Sequence, residues 1–238
     1  MCGSCRDGAI DRRGLLTLGL GALAAGVAGG ALPARAAGKP TTVSSDDALE
    51  ALKKGNARFV ASPQECEADL IEARARVADS QSPWASIVSC ADSRVPPELV
   101  FGGLSLGDLF VARNAGNLVD TGTMGTLEYG AAVLGSPLIV VMGHSHCGAV
   151  KAACDVVTKN ATYPGSIGPM IDPIIPAAIA VRDAQGDFVD NAIRESAKRT
   201  AARLGSTSFV LADLIKAGKL KIVAAHYELA SGSVTFLT

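Results

Sequence analysis

Leu138-Ile139-Val140-Val141-Met142-Gly143 runs without a polar side chain and gives way at once to His144-Ser145-His146-Cys147-Gly148-Ala149-Val150. The run is too short for an ordinary helix and too uniformly apolar for a strand with one wet face. It reads as a strand buried on both sides, the pattern of a parallel sheet. Three runs of the same kind accompany it: Ala85 to Cys90, Asp108 to Ala112 and Leu220 to His226, each bounded by turn signals. Helical patterns lie between them, at Thr123 to Leu134, at Cys147 to Val157 and at Asn191 to Lys216 with a break near Gly205. Strands alternating with helices predict an α/β fold, a mostly parallel central sheet with helices on both faces. Ser233 to Leu237 follows a tight Ala230-Ser231-Gly232 turn and is expected to pair antiparallel at the edge.

Upstream lies a helical extension at the N-terminal side. One helix is expected from near Asp46 to about Val60, with Ser45 as its N-cap, and a second from about Cys66 to Ala78, broken by Gln81-Ser82-Pro83. No internal repeat is present, and residues 37–238 read as one domain.

Residues 1–36 read as an address label. Asp11-Arg12-Arg13-Gly14-Leu15-Leu16 precedes an uncharged Gly/Ala/Leu/Val run from Leu15 to Leu32, and Ala34-Arg35-Ala36 supplies an A-x-A cleavage signature. Adjacent arginines before a weakly apolar, Gly-rich run favour the twin-arginine route, which predicts export machinery as a partner and a periplasmic or otherwise extracytoplasmic location. The same glycines make the run a poor membrane-spanning helix. Cutting after Ala36 removes four arginines and two aspartates, leaving 18 basic and 21 acidic residues, a net charge of −3. The whole chain carries −1. Neither value supports a nucleic-acid partner.

With 238 residues, 48% of them hydrophobic, the chain buries a core without disulfides, so its six cysteines do not read as a disulfide framework. Cys2 and Cys5 lie at the extreme N-terminus, and Cys66 and Cys154 stand alone. Cys90 and Cys147 fall inside the two most chemical stretches. The first reads Ser89-Cys90-Ala91-Asp92-Ser93-Arg94-Val95-Pro96-Pro97-Glu98; the second follows the Leu138 strand.

Ligands of open α/β sheets gather outside the carboxyl ends of the strands. Cys90 closes one strand and His144 follows another, so both stretches are expected on one rim. Two thiols, two imidazoles and a carboxylate there match zinc's ligand preferences. His144 and Cys147, at i and i+3, can face one ion; Cys90 and Asp92, at i and i+2, can be aimed together by a loop. Any of these alone reads as a buried thiol or a hydrogen-bonded core histidine. His146 has less freedom to reach the same ion and is expected to point elsewhere. Arg94 can take the Asp92 carboxylate in both prongs, keeping it ionised and drawing it off the metal. Four protein ligands make a closed site, whereas catalysis needs an open position.

The pairing of Cys90-x-Asp92-x-Arg94 with His144-x-x-Cys147-Gly148 resembles the zinc signature of the β-class carbonic anhydrases. The resemblance extends to Val111-Ala112-Arg113-Asn114-Ala115-Gly116-Asn117, to Thr126-Leu127-Glu128-Tyr129-Gly130, and to Ile222 through Glu228 with Gly232-Ser233-Val234. It implies one Zn2+ per subunit on Cys90, His144 and Cys147. Asp92 would be either the fourth ligand or, paired to Arg94, the acceptor for a zinc-bound water. It implies reversible hydration of carbon dioxide to bicarbonate and a proton, because zinc lowers the pKa of bound water to about 7. It further implies a substrate pocket of Gln81, Phe110, Tyr129 and Gly148, with Gln81 donating to substrate oxygen. Phe110 and Tyr129 come from the neighbouring subunit in the family, so a homodimer or a tetramer built of dimers is expected. Some bacterial members hold a tryptophan three positions before the zinc cysteine as part of a bicarbonate-linked switch. Ile87 stands there in this chain, whose single tryptophan is Trp84, and the open arrangement is expected near neutral pH.

Three other readings compete. A carbon disulfide hydrolase would use similar ligands on the same scaffold. A zinc-stabilised binding module would need no Arg94 to free a ligand. A redox protein would use Cys90 and Cys147 as a thiol pair, and export to an oxidising compartment puts thiolates at that risk unless zinc is loaded before transport.

Overall fold

The structure, a computed structural model, describes residues 40–62 and 70–237. Residues 1–36, expected to be an export signal, and Cys66 lie outside the described residues.

The four apolar runs form parallel strands β1 (Ala85–Cys90), β2 (Leu109–Asn114), β3 (Leu138–His144) and β4 (Lys221–Tyr227). A fifth, β5 (Val234–Leu237), pairs antiparallel with β4, and the order across the sheet is β2-β1-β3-β4-β5. Every residue of β1 and β3 is buried, as unbroken apolar sequence requires of central parallel strands. β2 forms the parallel edge and is only half-buried.

Strand alternation divides the interior. Leu138, Val140 and Met142 join Ala85 and Ile87 on one face, packed with Ala48 and Leu52 of helix α1 (Ser45–Ala61). Ile139 and Val141 join Val88 on the other face. There they pack with Leu127 of α4 (Thr121–Glu128), with Ala197 and Leu204 of α8 (Phe188–Thr207), and with Leu211 of α9 (Phe209–Lys216). Helices thus cover both faces, as expected. Among the described residues the other α-helices are α2 (Leu70–Arg76), α3 (Pro97–Val100), α5 (Gly148–Lys159), α6 (Ile167–Ile171) and α7 (Ile175–Ala180).

Two local expectations shift. The cap of α1 is Ser44 rather than Ser45: its extended backbone lets its Oγ accept from Asp47 N at 3.1 Å, and two aspartates follow in the first turn. The long C-terminal helical pattern breaks at Ser208, not Gly205. Ser208 caps α9 by accepting from Leu211 N at 3.1 Å while its hydroxyl donates to Glu128, so a polar residue with two partners ends one helix and starts the next. After α4 the chain widens into a single π turn, Tyr129–Val133.

Asn56 ties distant pieces together. Buried on α1, it donates to Val100 O at 2.9 Å and Gly232 O at 2.8 Å, and accepts from Val234 N at 2.8 Å.

Candidate metal centre

Parallel strands end on one rim, and the register puts the two chemical stretches there together. Cys90 is the last residue of β1 and His144 the last of β3. After His144 the chain turns through His146, whose φ of 57° is left-handed, and Cys147 caps α5. His146 is exposed and outside the cluster.

Cys90 Sγ, a ring nitrogen of His144 and Cys147 Sγ lie within 4.8 Å of one another, and all three residues are buried. The sulfurs are 4.0 Å apart. Two thiolates on a tetrahedral zinc, at roughly 2.3 Å each, stand about 3.8 Å apart. His144 Nδ1 lies 2.9 Å from the Ser145 carbonyl, which makes Nδ1 the protonated nitrogen and leaves a lone pair on Nε2. That Nε2 is buried and has no hydrogen-bond partner. An orphaned imidazole nitrogen beside two buried thiols fits a soft divalent cation better than it fits a packed core.

The two thiols titrate as a pair. Hydrogen bonding from Cys147, helped by the Gly116 amide, draws Cys90 down to about 4 against the cost of burial. The same bond and its own burial push Cys147 up, although the free N–H groups of Val150 and Ala149 at the head of α5 oppose this.

Asp92 stands beside the cluster, with Oδ2 3.9 Å from His144 Nε2. Arg94 holds it from outside: Nε donates to Oδ1 at 2.8 Å, Nη2 to Oδ2 at 2.7 Å, and the Arg94 backbone N–H to Oδ1 at 2.9 Å. These bonds hold the Asp92 carboxyl well below the usual carboxylate range. Both prongs of the guanidinium are engaged, so the carboxylate is drawn toward Arg94.

Gln81, Phe110 and Tyr129 are not brought to Cys90 within one chain. Phe110 pairs in register with Ser86, and Asn114 with Cys90, so about 13 Å of strand separates Phe110 from the metal rim. Gln81 precedes β1 altogether. The Phe110 and Tyr129 rings meet at 6.2 Å, tilted by 36°, and the missing side chain of Gly130 gives Phe110 its place. Gly148 is exposed at the start of α5, with nothing within 4 Å of where a Cβ would stand.

Two contributors escaped the sequence reading. Arg113 donates from Nε to Cys90 O at 3.0 Å and from Nη2 to Asp92 O at 2.6 Å, so it braces the loop that carries both residues. Gly116 donates its N–H to Cys90 Sγ at 3.4 Å; its φ of 85° and the Ile174 methyl 2.9 Å from a Cβ require glycine. Both lie in the Val111–Asn117 segment, whose pairing with β1 was the available signal.

Fold and site together define an α/β protein with a Cys-His-Cys group fit to hold a metal ion. Comparison with known proteins gives the family. Residues 85–234 match the family model described as carbonic anhydrase. The carbonic anhydrase of Mycolicibacterium smegmatis is 38% identical over 187 residues, 79% of this chain and 90% of the relative. Carbonic anhydrase 2 of Mycobacterium tuberculosis is 37% identical over 185 residues, 78% and 89% of the two chains. Among solved structures, the Coccomyxa β-carbonic anhydrase in complex with acetazolamide superposes with a TM-score of 0.62 at 26% identity, covering 82% of this chain and 87% of the other. Two tetrameric β-carbonic anhydrases of Sordaria macrospora share the fold, one of their chains with a TM-score of 0.61 at 24% identity over 79% of this chain and 95% of that one. The chain belongs to the β-class carbonic anhydrases and is an enzyme of that class.

Proposed function

We propose that the chain hydrates carbon dioxide reversibly, to bicarbonate and a proton, at a zinc ion held by Cys90, His144 and Cys147. The observation that carries this reading is the buried, unpartnered His144 Nε2 within 4.8 Å of both thiols, with Asp92 drawn aside by Arg94. Zinc held there would lower the pKa of a water molecule to about 7 and so supply hydroxide at neutral pH.

The chain's own residues do the rest. Arg94 keeps Asp92 ionised and holds it by both prongs, so that Cys90, His144 and Cys147 would hold the ion without the carboxylate. Asp92 Oδ2 would accept the hydrogen bond of the hydroxide and so orient it toward the substrate carbon, the proton of the ionised water passing to buffer. Gly148 leaves free space beside Cys147 for the substrate.

The pocket is completed by a second copy. Gln81 of that copy donates to a substrate oxygen, while Phe110 and Tyr129 exclude water. Support comes from the register that removes Phe110 from its own metal rim, and from the half-buried edge strand β2 that carries it. The tetrameric Sordaria relatives share this fold. Residues 1–36 act as a twin-arginine signal that delivers the folded chain outside the cytoplasm; N-terminal sequencing of exported protein is expected to begin at Ala37.

Stopped-flow carbon dioxide hydration by the zinc-loaded mature chain tests the reading. Fast turnover between pH 7 and 9 supports it. A folded, zinc-loaded protein that leaves carbon dioxide untouched overturns it, and turnover of carbon disulfide by the same sample identifies the replacement.

A further inference from the structure

The segment from His144 to Cys147 supplies two of the three ligating groups, yet its two ligands point inward from a turn with a left-handed residue in the middle. Something must hold that turn while the ion comes and goes. The hydrogen bonds around Ser145 do so.

Ser145 N donates to Tyr227 O at 2.9 Å, which continues the β3–β4 ladder one residue past His144. Ser145 Oγ donates to Glu228 Oε1 at 2.8 Å and accepts from Leu229 N at 2.9 Å. Glu228 Oε1 accepts also from Ala230 N at 3.3 Å. The Glu228 backbone is fixed in turn: its N–H donates to Ser233 O at 2.8 Å and its carbonyl accepts from Gly232 N at 2.9 Å. Ser145 is thus bracketed on three sides by the end of β4, and its side chain is buried at 4% exposure.

The remaining polar group of Ser145 is its carbonyl, and that carbonyl takes the His144 Nδ1 proton. The direction of the Ser145 peptide therefore sets both the tautomer and the ring plane of His144. An imidazole protonated on Nε2 has no lone pair there, and one free to rotate does not keep its lone pair aimed at the ion.

We infer that Ser145 and Glu228 are positioning residues for His144, forming a bracket that acts through the Ser145 carbonyl to fix the imidazole for metal capture. The inference rests on the proposed metal site and extends it to residues that touch neither ion nor substrate. Glu228, the residue after β4 and 83 positions beyond Ser145, acts on the ligand through the Ser145 hydroxyl, which links its carboxylate to the turn.

The test is metal affinity of the full mature chain, measured by competition with a chromophoric chelator for Zn2+ and by the visible spectrum of the Co2+ form. Ser145→Ala and Glu228→Ala are expected to weaken Zn2+ binding about 10- to 100-fold, the usual loss when a partner behind a metal-binding histidine is removed. Their Co2+ spectra are expected to change in shape. Glu228→Gln keeps an acceptor for the hydroxyl and is expected to stay within about threefold of the parent, and the double variant to lose no more than the worse single one. Unchanged affinity and spectrum in both alanine variants overturn the bracket. So do variants that lose thermal stability in the metal-free state while binding zinc as the parent does. A parent that binds neither ion overturns the metal site itself, and the bracket with it; these failures are told apart by the parent's own titration.

Discussion

A mixed dimer offers a direct trial of how the pocket is divided. Gln81→Ala and Asp92→Asn each remove one half of the proposed site. In a single chain the halves sit apart: β1 alone runs about 17 Å from Ala85 to Cys90, and Gln81 precedes it, while Asp92 follows it. If each site takes Asp92 from one chain and Gln81 from the other, a mixed dimer holds one site with both residues intact and one with both altered. Random pairing of equal amounts makes about half the dimers mixed, and half their sites are whole, so the co-refolded mixture recovers about one quarter of parental turnover. Stopped-flow carbon dioxide hydration before and after co-refolding with zinc reads this directly. A mixture no more active than the average of its two components would mean that Gln81 and Asp92 serve the same site from one chain, and the division inferred from the β1–β2 register would be wrong.

Three further outcomes are expected. Asp92→Asn, which keeps the shape and removes the charge, should cut turnover by about 100-fold or more while zinc stays bound, as metal analysis beside the kinetics will show. Asn56→Ala orphans two carbonyls and one amide at about 1 kcal/mol each, so urea unfolding at matched protein concentration should show a loss of about 3 kcal/mol; a loss under 1 kcal/mol would mean that water replaces all three partners. Burial, and Arg194 nearby, hold His226 below its ordinary 6.5 despite Asp190 Oδ1 at 2.9 Å. The unfolded chain therefore takes up this proton first as pH falls, and stability declines below about pH 6.5. Replacing His226 with Gln should flatten the dependence of the urea midpoint on pH between 6.5 and 5.

Where the sequence could be read, the reason is local. The strands of the parallel sheet were legible because burial on both faces demands unbroken apolar runs, and β1 was found to the residue. Cys90 and His144 were placed on one rim because the carboxyl ends of parallel strands coincide. What stayed hidden depends on registration between strands. Arg113 reaches Cys90 only because Cys90 aligns with Asn114, and Glu228 reaches Ser145 only because His144 aligns with Tyr227. Neither alignment leaves a mark in spacing along one chain. The short helices α6 and α7 were missed for a different reason: Ile167–Ala180 is too rich in proline and isoleucine to show a helical period. The cap at Ser44 and the break at Ser208 were misjudged by one and three residues because several serines or glycines stood in competition, and only the hydrogen bonds chose among them.

Cys90 and Cys147 pack with Val150, Ala153, Ile171, Ile174 and Ile193, a cluster separate from the two that flank the sheet. A layer packed as its own cluster can open at a free energy below that of unfolding the whole molecule. Were α5 and α7 to part from α8 with the strands still paired, the buried thiols would be exposed. The lifetime of a metal ion in this protein would follow that partial opening, so amide exchange in Gly148–Lys159, rather than the global melting temperature, is the quantity that reports how long the enzyme stays loaded.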